Sequence, residues 1–386
     1  MKVMIFDSGA SLSGHRIPYA GLVAKSFCEH EVTVCLPSPL EGESALGSFF
    51  PQGVVFQFFD QRTKNGSLAL NREAWRCLIT CIRDQKPDLV AVPTADGLAL
   101  WGSLMKLISF SNVKTPIDIS LMKGHFKSPS VPMRKRLASH MKWWVVTKGP
   151  WRRILLIDPR AFEDLADPAS QRVELCPDPA PKQKFFDRTS ARKALGLPLE
   201  GKIVVSVGRQ DTRKGTDLLL RAFEQGKFHE NTFLVLFGKC GSAIREIIES
   251  MLSDSKFEHS LIVRDKYVSD DEFEQAVVAS DLVAVPYRDV ERPSGIVSRA
   301  VAWGRPILAT NDGWLSWFVN RYQAGYLTQP ENTRQFADDL KAALSSSEDF
   351  CTSTAADEFR IFNTELCYLK AWNSQSTHEN SVNPVK

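Results

Sequence analysis

Short apolar runs, too brief for core helices and several of them rich in Val, Ile or Phe, recur along this chain with amphipathic segments between them. In the first half the runs fall at residues 2–6, 31–35, 53–58, 88–92, 116–121 and 143–147. Helical segments fall near 19–27, 72–83, 98–108 and 133–140. Strand followed by helix, repeated, constrains the fold more than any other feature, because it predicts a parallel sheet covered on both faces. The pattern stops at 175–184, LCPDPAPKQK, where three prolines remove backbone donors and disfavour helix before them. It then restarts, with strands at 202–207, 232–237, 260–263, 282–285 and 306–309 and helices at 216–224, 243–252, 270–279, 295–303 and 333–344. Ser269 and Glu272 form a capping box for one of these helices. The expected architecture is α/β, with two doubly wound Rossmann-like domains, 1–180 and 181–372, facing a cleft. A polar tail, 373–386, follows a last helical segment at 358–371 that caps the second domain or crosses back to the first.

Length and composition agree with two cores. A chain of 386 residues exceeds one core of usual size, and 43% hydrophobic content supports a core in each half. A net charge of +3 argues against a strongly basic nucleic-acid binder. No apolar run approaches the roughly 20 residues of a spanning helix. The start, MKVMIFDSGASLSGHR, reads as a first strand entering a glycine-containing loop, not as a signal peptide. Eight cysteines are scattered, and Cys77 and Cys81 alone have suggestive spacing. With no His or second Cys pair nearby they read as free thiols, which fits a cytoplasmic location and no metal site.

Chemistry concentrates in the second half. The strand KIVVSV ends at Gly208 and runs into RQDTRKGTDLLLRAF. Ligands of open α/β sheets bind at the carboxyl ends of strands, so Arg209 and Lys214 stand where an anion would be held, and Gly208 permits close backbone approach. A second strand, LVAVPY, is followed by RDVERPSGIVSRAVAWGRPILATNDG. Ser294 is an N-cap candidate and Gly295 opens the helix start, where N–H groups and the helix dipole favour phosphate. The two elements converge on one anion site.

These runs, with LVLFGKCG and VSDDEFEQAVVASDLVAVPY, give the C-terminal half a resemblance to the retaining glycosyltransferases of the GT-B fold, the group-1 class that uses nucleotide-sugar donors. The resemblance spans roughly residues 203–332 in order and spacing. It implies that Arg209 and Lys214 grip the donor diphosphate and stabilise the leaving group as charge grows on it. By the same resemblance Ser294, Gly295 and Ile296 offer N–H groups to the diphosphate, and Lys266, Tyr267 and Val268 meet the nucleobase. Glu291 matches the first glutamate of a Glu-x7-Glu motif and would touch the sugar. Arg299 stands where the second glutamate, which accepts from the ribose hydroxyls, is expected; arginine has no acceptor and carries the opposite charge. Arg299 is kept with the donor-binding set, with phosphate as an alternative contact.

The first half is expected to serve the acceptor. The loop from Gly9 to His15 follows the first strand, with Gly14 and His15 as acceptor-side candidates. His125 follows the strand PIDISL, where the family often places a histidine near the donor sugar. The implied activity is transfer of a hexose-type group from a nucleotide-diphosphate sugar to a glycan, lipid-linked or small-molecule hydroxyl, with retention and without a cofactor. The alternative is a catalytically degenerate GT-B protein that binds a nucleotide, glycan or protein; a third reading is an epimerase or phosphorylase on the same fold. The segment MRKRLASHMKWWVVTKGPWRR reads as a solvated helix face leading into a core strand, with its tryptophans buried. Its alternative is peripheral contact with an anionic membrane.

Overall fold

The protein is described from a computed structural model covering residues 1–9, 16–38, 43–60, 67–109, 113–122, 133–165, 167–168, 172–179, 187–290, 293–348, 350 and 353–374. It divides into two compact units, Met1–Pro179 with Glu365–Lys386, and Ala180–Thr364.

The first unit carries a parallel sheet of seven strands: β1 (Lys2–Phe6), β2 (Glu31–Ser38), β3 (Val55–Asp60), β4 (Leu89–Val92), β5 (Ile117–Leu121), β6 (Trp151–Leu156) and β7 (Val173–Leu175). Their order is β3-β2-β1-β4-β5-β6-β7. Helices α1 (Arg16–Ser26), α2 (Ser67–Gln85), α3 (Asp96–Ser109), α4 (Met133–Thr147) and α5 (Pro159–Glu163) connect them. Two apolar clusters, one on each face, account for the unbroken hydrophobicity of β1 and β4.

The run at 143–147 is not a strand but the last turns of α4. Nothing between Met133 and Thr147 breaks the helix, and its Trp and Val residues pack in helical register, with Val146 buried and Trp143 partly buried. The strand lies a few residues on, at β6, hidden in the sequence by Arg152 and Arg153. Both guanidiniums reach Asp118 on β5, which is fully buried. Arg153 is itself buried and donates to the carbonyls of Ala371 (3.1 Å) and Trp372 (3.0 Å).

Those carbonyls end a helix that returns to the first unit. The segment at 358–371 is two helices, Thr354–Phe362 and Glu365–Asn373, separated by Asn363 and Thr364, the first ending the second unit. The second brings Tyr368 and Trp372 into full burial beside α1. Arg153 therefore caps a helix C-terminus with a buried positive charge, a favourable match to the dipole.

The second unit carries β8 (Lys202–Val207), β9 (Thr232–Phe237), β10 (Leu261–Arg264), β11 (Leu282–Val285), β12 (Ile307–Thr310) and β13 (Gly325–Thr328), all parallel in the order β10-β9-β8-β11-β12-β13. Its helices are α6 (Arg188–Leu195), α7 (Thr216–Gln225), α8 (Ser242–Leu252), α9 (Asp270–Ala279), α10 (Gly295–Ala302), α11 (Gly313–Tyr322), α12 (Thr333–Ser345) and α13 (Thr354–Phe362), and α14 (Glu365–Asn373) follows in the first unit. The capping box of Ser269 and Glu272 forms at the start of α9. Strand order reverses between β8 and β11, so the loops leaving these neighbours diverge to opposite faces and open a crevice at their carboxyl ends. A buried ion pair fixes the opposite edge: Asp281 accepts from Arg192 at 2.9 Å and from the Ile203 N–H at 2.7 Å, and also pairs with Arg188.

Asp281→Ala leaves Arg192 buried without its carboxylate. The expected loss is about 3–5 kcal/mol, read as a lower midpoint in urea unfolding.

Candidate functional site

The site begins where β8 ends. Gly208 has φ +91°, in the left-handed region, and a Cβ there would lie 2.9 Å from Lys214 Nζ and 3.6 Å from Ile296 Cδ1. The glycine is thus the floor on which the ammonium rests, and it brings together three residues singled out from sequence: Gly208, Lys214 and Ile296. Lys214 reaches this point because its turn is tightly held. Asp211 caps that turn by accepting from the Lys214 N–H at 2.9 Å. Gly215 follows with φ +67°, its Cα so close to the Pro286 carbonyl that a Cβ would come within 1.9 Å.

Two residues that the sequence reading passed over hold the frame. Gln210 is fully buried, and its carboxamide donates to the carbonyls of Gly208 (2.8 Å), Ser206 (3.1 Å) and Phe237 (3.2 Å) while accepting from Ser206 and Thr216 hydroxyls (both 3.0 Å). Arg288, on the loop after β11, pairs bidentately with Asp217 at 2.7 and 2.9 Å and donates to the Thr212 carbonyl at 2.5 Å. It stitches the loop after β11 to the loop after β8, the two that the strand reversal separates. The Asp-x-x-Lys spacing at 211–214 is a turn signal legible in sequence; nothing local marks Gln210 or Arg288.

The second wall is the start of α10. Its first-turn N–H groups have no intrahelical partner, and the Ser294 side chain does not cap them. That hydroxyl instead bonds the phenol of Tyr287, which burial pushes well above the ordinary tyrosine range. Around Gly295 the space is open, with no atom within 4 Å of where a Cβ would sit. The helix therefore presents bare N–H donors and its positive dipole end to an open approach, suited to an anion.

Between these walls the Lys214 ammonium lies 5.4 Å from the Tyr287 ring centroid. Among the described residues no carboxylate forms an ion pair with it. Desolvation, reinforced by Arg213 and partly offset by Asp211, lowers its pKa to about 8. Arg209 leaves the same loop 72% exposed, its Nε 3.5 Å from Asp211. Lys266, Tyr267 and Val268 occupy the loop after β10, two strands from β8 at the same carboxyl edge. There Lys266 pairs with Glu272 at 2.6 Å, Tyr267 is exposed, and Val268 packs on the core.

Arg299 is committed elsewhere. Its guanidinium lies 3.3 Å from Asp270 and 3.2 Å from Glu274 on α9 and 4.4 Å over the Phe273 ring. Glu274 is buried, which raises its pKa against the pull of Trp303 and Arg299. Arg299 thus bridges α10 to α9. Gly14, His15, His125 and Glu291 lie outside the described residues. Among the described residues no group of three or more His, Cys, Asp or Glu could hold a metal ion.

Known proteins share this architecture over the whole chain. An Anabaena protein solved in complex with UDP, Alr3699/HepE, superposes with TM-score 0.65 at 15% identity, covering 97% of each chain. Sucrose-phosphate synthase from Thermosynechococcus elongatus superposes with TM-score 0.67 at 14% identity, covering 96% of each. The fold is therefore GT-B: two Rossmann-like domains. Within it, residues 187–354 match the family described as glycosyl transferases group 1. D-inositol 3-phosphate glycosyltransferase of Mycobacterium leprae is 32% identical over 165 residues, 42% of this chain and 37% of that protein. An uncharacterized glycosyltransferase of Methanocaldococcus jannaschii is 25% identical over 160 residues, 41% of this chain and 40% of that one. The matches span about two fifths of the length of these curated relatives.

The lowered pKa of Lys214 has a definite sign. Its folded-state value, about 8, lies below the ordinary 10.5, so between these pH values the unfolded chain binds more protons and stability rises with pH. Lys214→Met is expected to raise the Tm of the ligand-free protein at pH 7, with the gain shrinking as pH climbs toward 10.5. Pyrophosphate affinity of the unaltered protein, followed by calorimetry, should weaken as pH rises through about 8.

Proposed function

We propose that this protein transfers a hexose-type sugar from a nucleoside-diphosphate sugar to a hydroxyl acceptor, with retention at the anomeric carbon. The observation that carries this reading is the Lys214 ammonium resting on Gly208 beside the uncapped, open start of α10. Two separate loops contribute positive charge, and among the described residues no carboxylate on either pairs with Lys214, though Asp211 partly offsets its desolvation. Such a pair of walls fits a group with two adjacent phosphates better than a single carboxylate.

In the reaction, the bond between the anomeric carbon and the β-phosphate oxygen breaks as the bond to the acceptor oxygen forms. Negative charge grows on the departing diphosphate, and the acceptor hydroxyl gives its proton to that diphosphate. Lys214, the α10 N–H groups of Gly295 and Ile296, and Arg209 stabilise the growing charge. Lys214 and the α10 N–H groups are held before the reaction starts, so little reorganisation is needed as charge moves. Partial desolvation strengthens each interaction, and the diphosphate supplies Lys214 with a counter-charge. Tyr267 and its neighbours would take the nucleobase, Glu291 and His125 the donor sugar, and Gly14 and His15 the acceptor side. The location would be cytoplasmic, with no cofactor beyond the sugar nucleotide as co-substrate.

A second reading, a GT-B protein that binds a nucleotide without turnover, is favoured by Arg299. With its guanidinium turned to α9, position 299 offers the ribose hydroxyls no acceptor. The two readings separate in one experiment. A panel of sugar nucleotides, led by UDP-glucose and its GDP and ADP counterparts, is scored for thermal shift and for slow donor hydrolysis. Transfer predicts hydrolysis, with kcat/KM falling about 10²–10³-fold in Lys214→Ala. Thermal shift without hydrolysis, even with acceptor extracts present, selects the binding module. No shift with any nucleoside diphosphate sinks both.

A further inference from the structure

The basic aromatic segment departs from its sequence reading. Trp151 is buried and Trp143 partly so, but Trp144 is 59% exposed. It is not alone: Met133 is 82%, Leu137 62% and Met141 63% exposed on the same helix. These four residues are spaced by four, four and three along α4. That spacing puts them on one helix face. The opposite side carries Val146 and Trp143 into the core, so the apolar stripe points away from the unit that α4 packs on. Leu107 and Ile108, at the end of the adjacent α3, are also exposed.

Burying such a stripe would be favourable, and leaving it in water needs a reason. Its charge surroundings indicate the occupant. The helix carries Arg134, Lys135, Arg136 and Lys142 and no acid. No Asp or Glu occurs anywhere between residues 119 and 157, in a chain whose total charge is only +3. Arg134 and Lys142 are exposed on the same helix, Arg134 next to the stripe. A second copy of this chain would set like charges against each other around a two-fold contact, whereas an anionic bilayer answers both features. Lipid tails take the Met, Leu and Trp side chains, and headgroup phosphates take the basic ones. No helix among the described residues is long and apolar enough to cross a membrane, so the contact would be peripheral.

We propose that the outward face of α4, built on Met133, Leu137, Met141 and Trp144 with its basic flanks, docks the protein on anionic lipid bilayers. This surface lies in the first unit and is independent of the donor-site reading, which can fail without affecting it. The test uses the full-length protein and sedimenting vesicles of phosphatidylcholine, alone or with about one third phosphatidylglycerol. Binding is expected to the anionic vesicles, to fall with added salt through charge screening, and to be at least tenfold weaker with phosphatidylcholine alone. Met141→Gln with Trp144→Gln, at exposed positions, should leave the Tm unchanged and cut binding about tenfold. Arg134→Glu with Lys142→Glu should do the same by the other route. No binding of the unaltered protein to anionic vesicles overturns the proposal. So does charge reversal that abolishes binding while the Gln pair leaves it intact, which would mark a generic polyanion contact such as nucleic acid. A concentration-dependent dimer in sedimentation that the Gln pair dissolves overturns it too, and assigns the stripe to a second copy.

Discussion

The reversal of strand order between β8 and β11 is the constraint on which the second unit's chemistry depends. Parallel strands send their connections to one face or the other, and where the direction changes, adjacent loops separate. Separation alone makes only a gap. Arg288 turns the gap into a site by joining the two loops through Asp217 and the Thr212 carbonyl, and Gln210 fixes the backbone on which Lys214 rests. Each is a polar group with its bonds made inside the protein, so the loops around an exposed anion site need not be soft. Rigid donors are what an anion site requires, since donors that must reorganise lose much of their advantage.

Lys214 is placed at a cost. A lysine partly withdrawn from water, with Arg213 as a neighbour, Asp211 only partly offsetting it and no carboxylate among the described residues paired to it, is less stable charged than an ordinary surface lysine. A carboxylate paired to it would relieve that cost and would also take the space an anion could fill. The same logic holds at α10, where a serine cap would satisfy the N–H groups but the Ser294 hydroxyl is drawn to Tyr287 instead. In both places a local stabilising interaction is withheld, and both places face the same opening.

Most of the fold was legible because parallel strands buried on both faces leave unbroken apolar runs. At β6 charge misled. Arg152 and Arg153 made β6 look solvated, and only their distance in sequence from Asp118, a residue on the neighbouring strand, concealed the compensation. Trp143 to Thr147 looked like a strand because β-branched and aromatic residues favour both a sheet and a buried helix face, and no turn signal separated them from the preceding helix. The Gly208, Lys214 and Gly295 cluster was readable for the opposite reason. Gly208, Lys214 and Gly295 owe their positions to local turns and helix starts, which short stretches of sequence specify. Gln210 and Arg288 were invisible because their partners, the Phe237 carbonyl and Asp217, are set by topology.

Arg299 shows where that distinction leads. From sequence it is a cation in a place that should hold an acid, and its charge alone invites a phosphate. The structure gives it two carboxylates on α9 and an aromatic face, and Glu274 is too buried to lose its partner cheaply. A cation with such partners is part of the frame, and its guanidinium is not available to a ligand without breaking that frame. Lys214 is the converse case, a cation with which no carboxylate of the described residues pairs. The contrast is one of placement, not of residue type: the number of carboxylates each fold position supplies decides which basic residue holds the protein together and which is left for an anion.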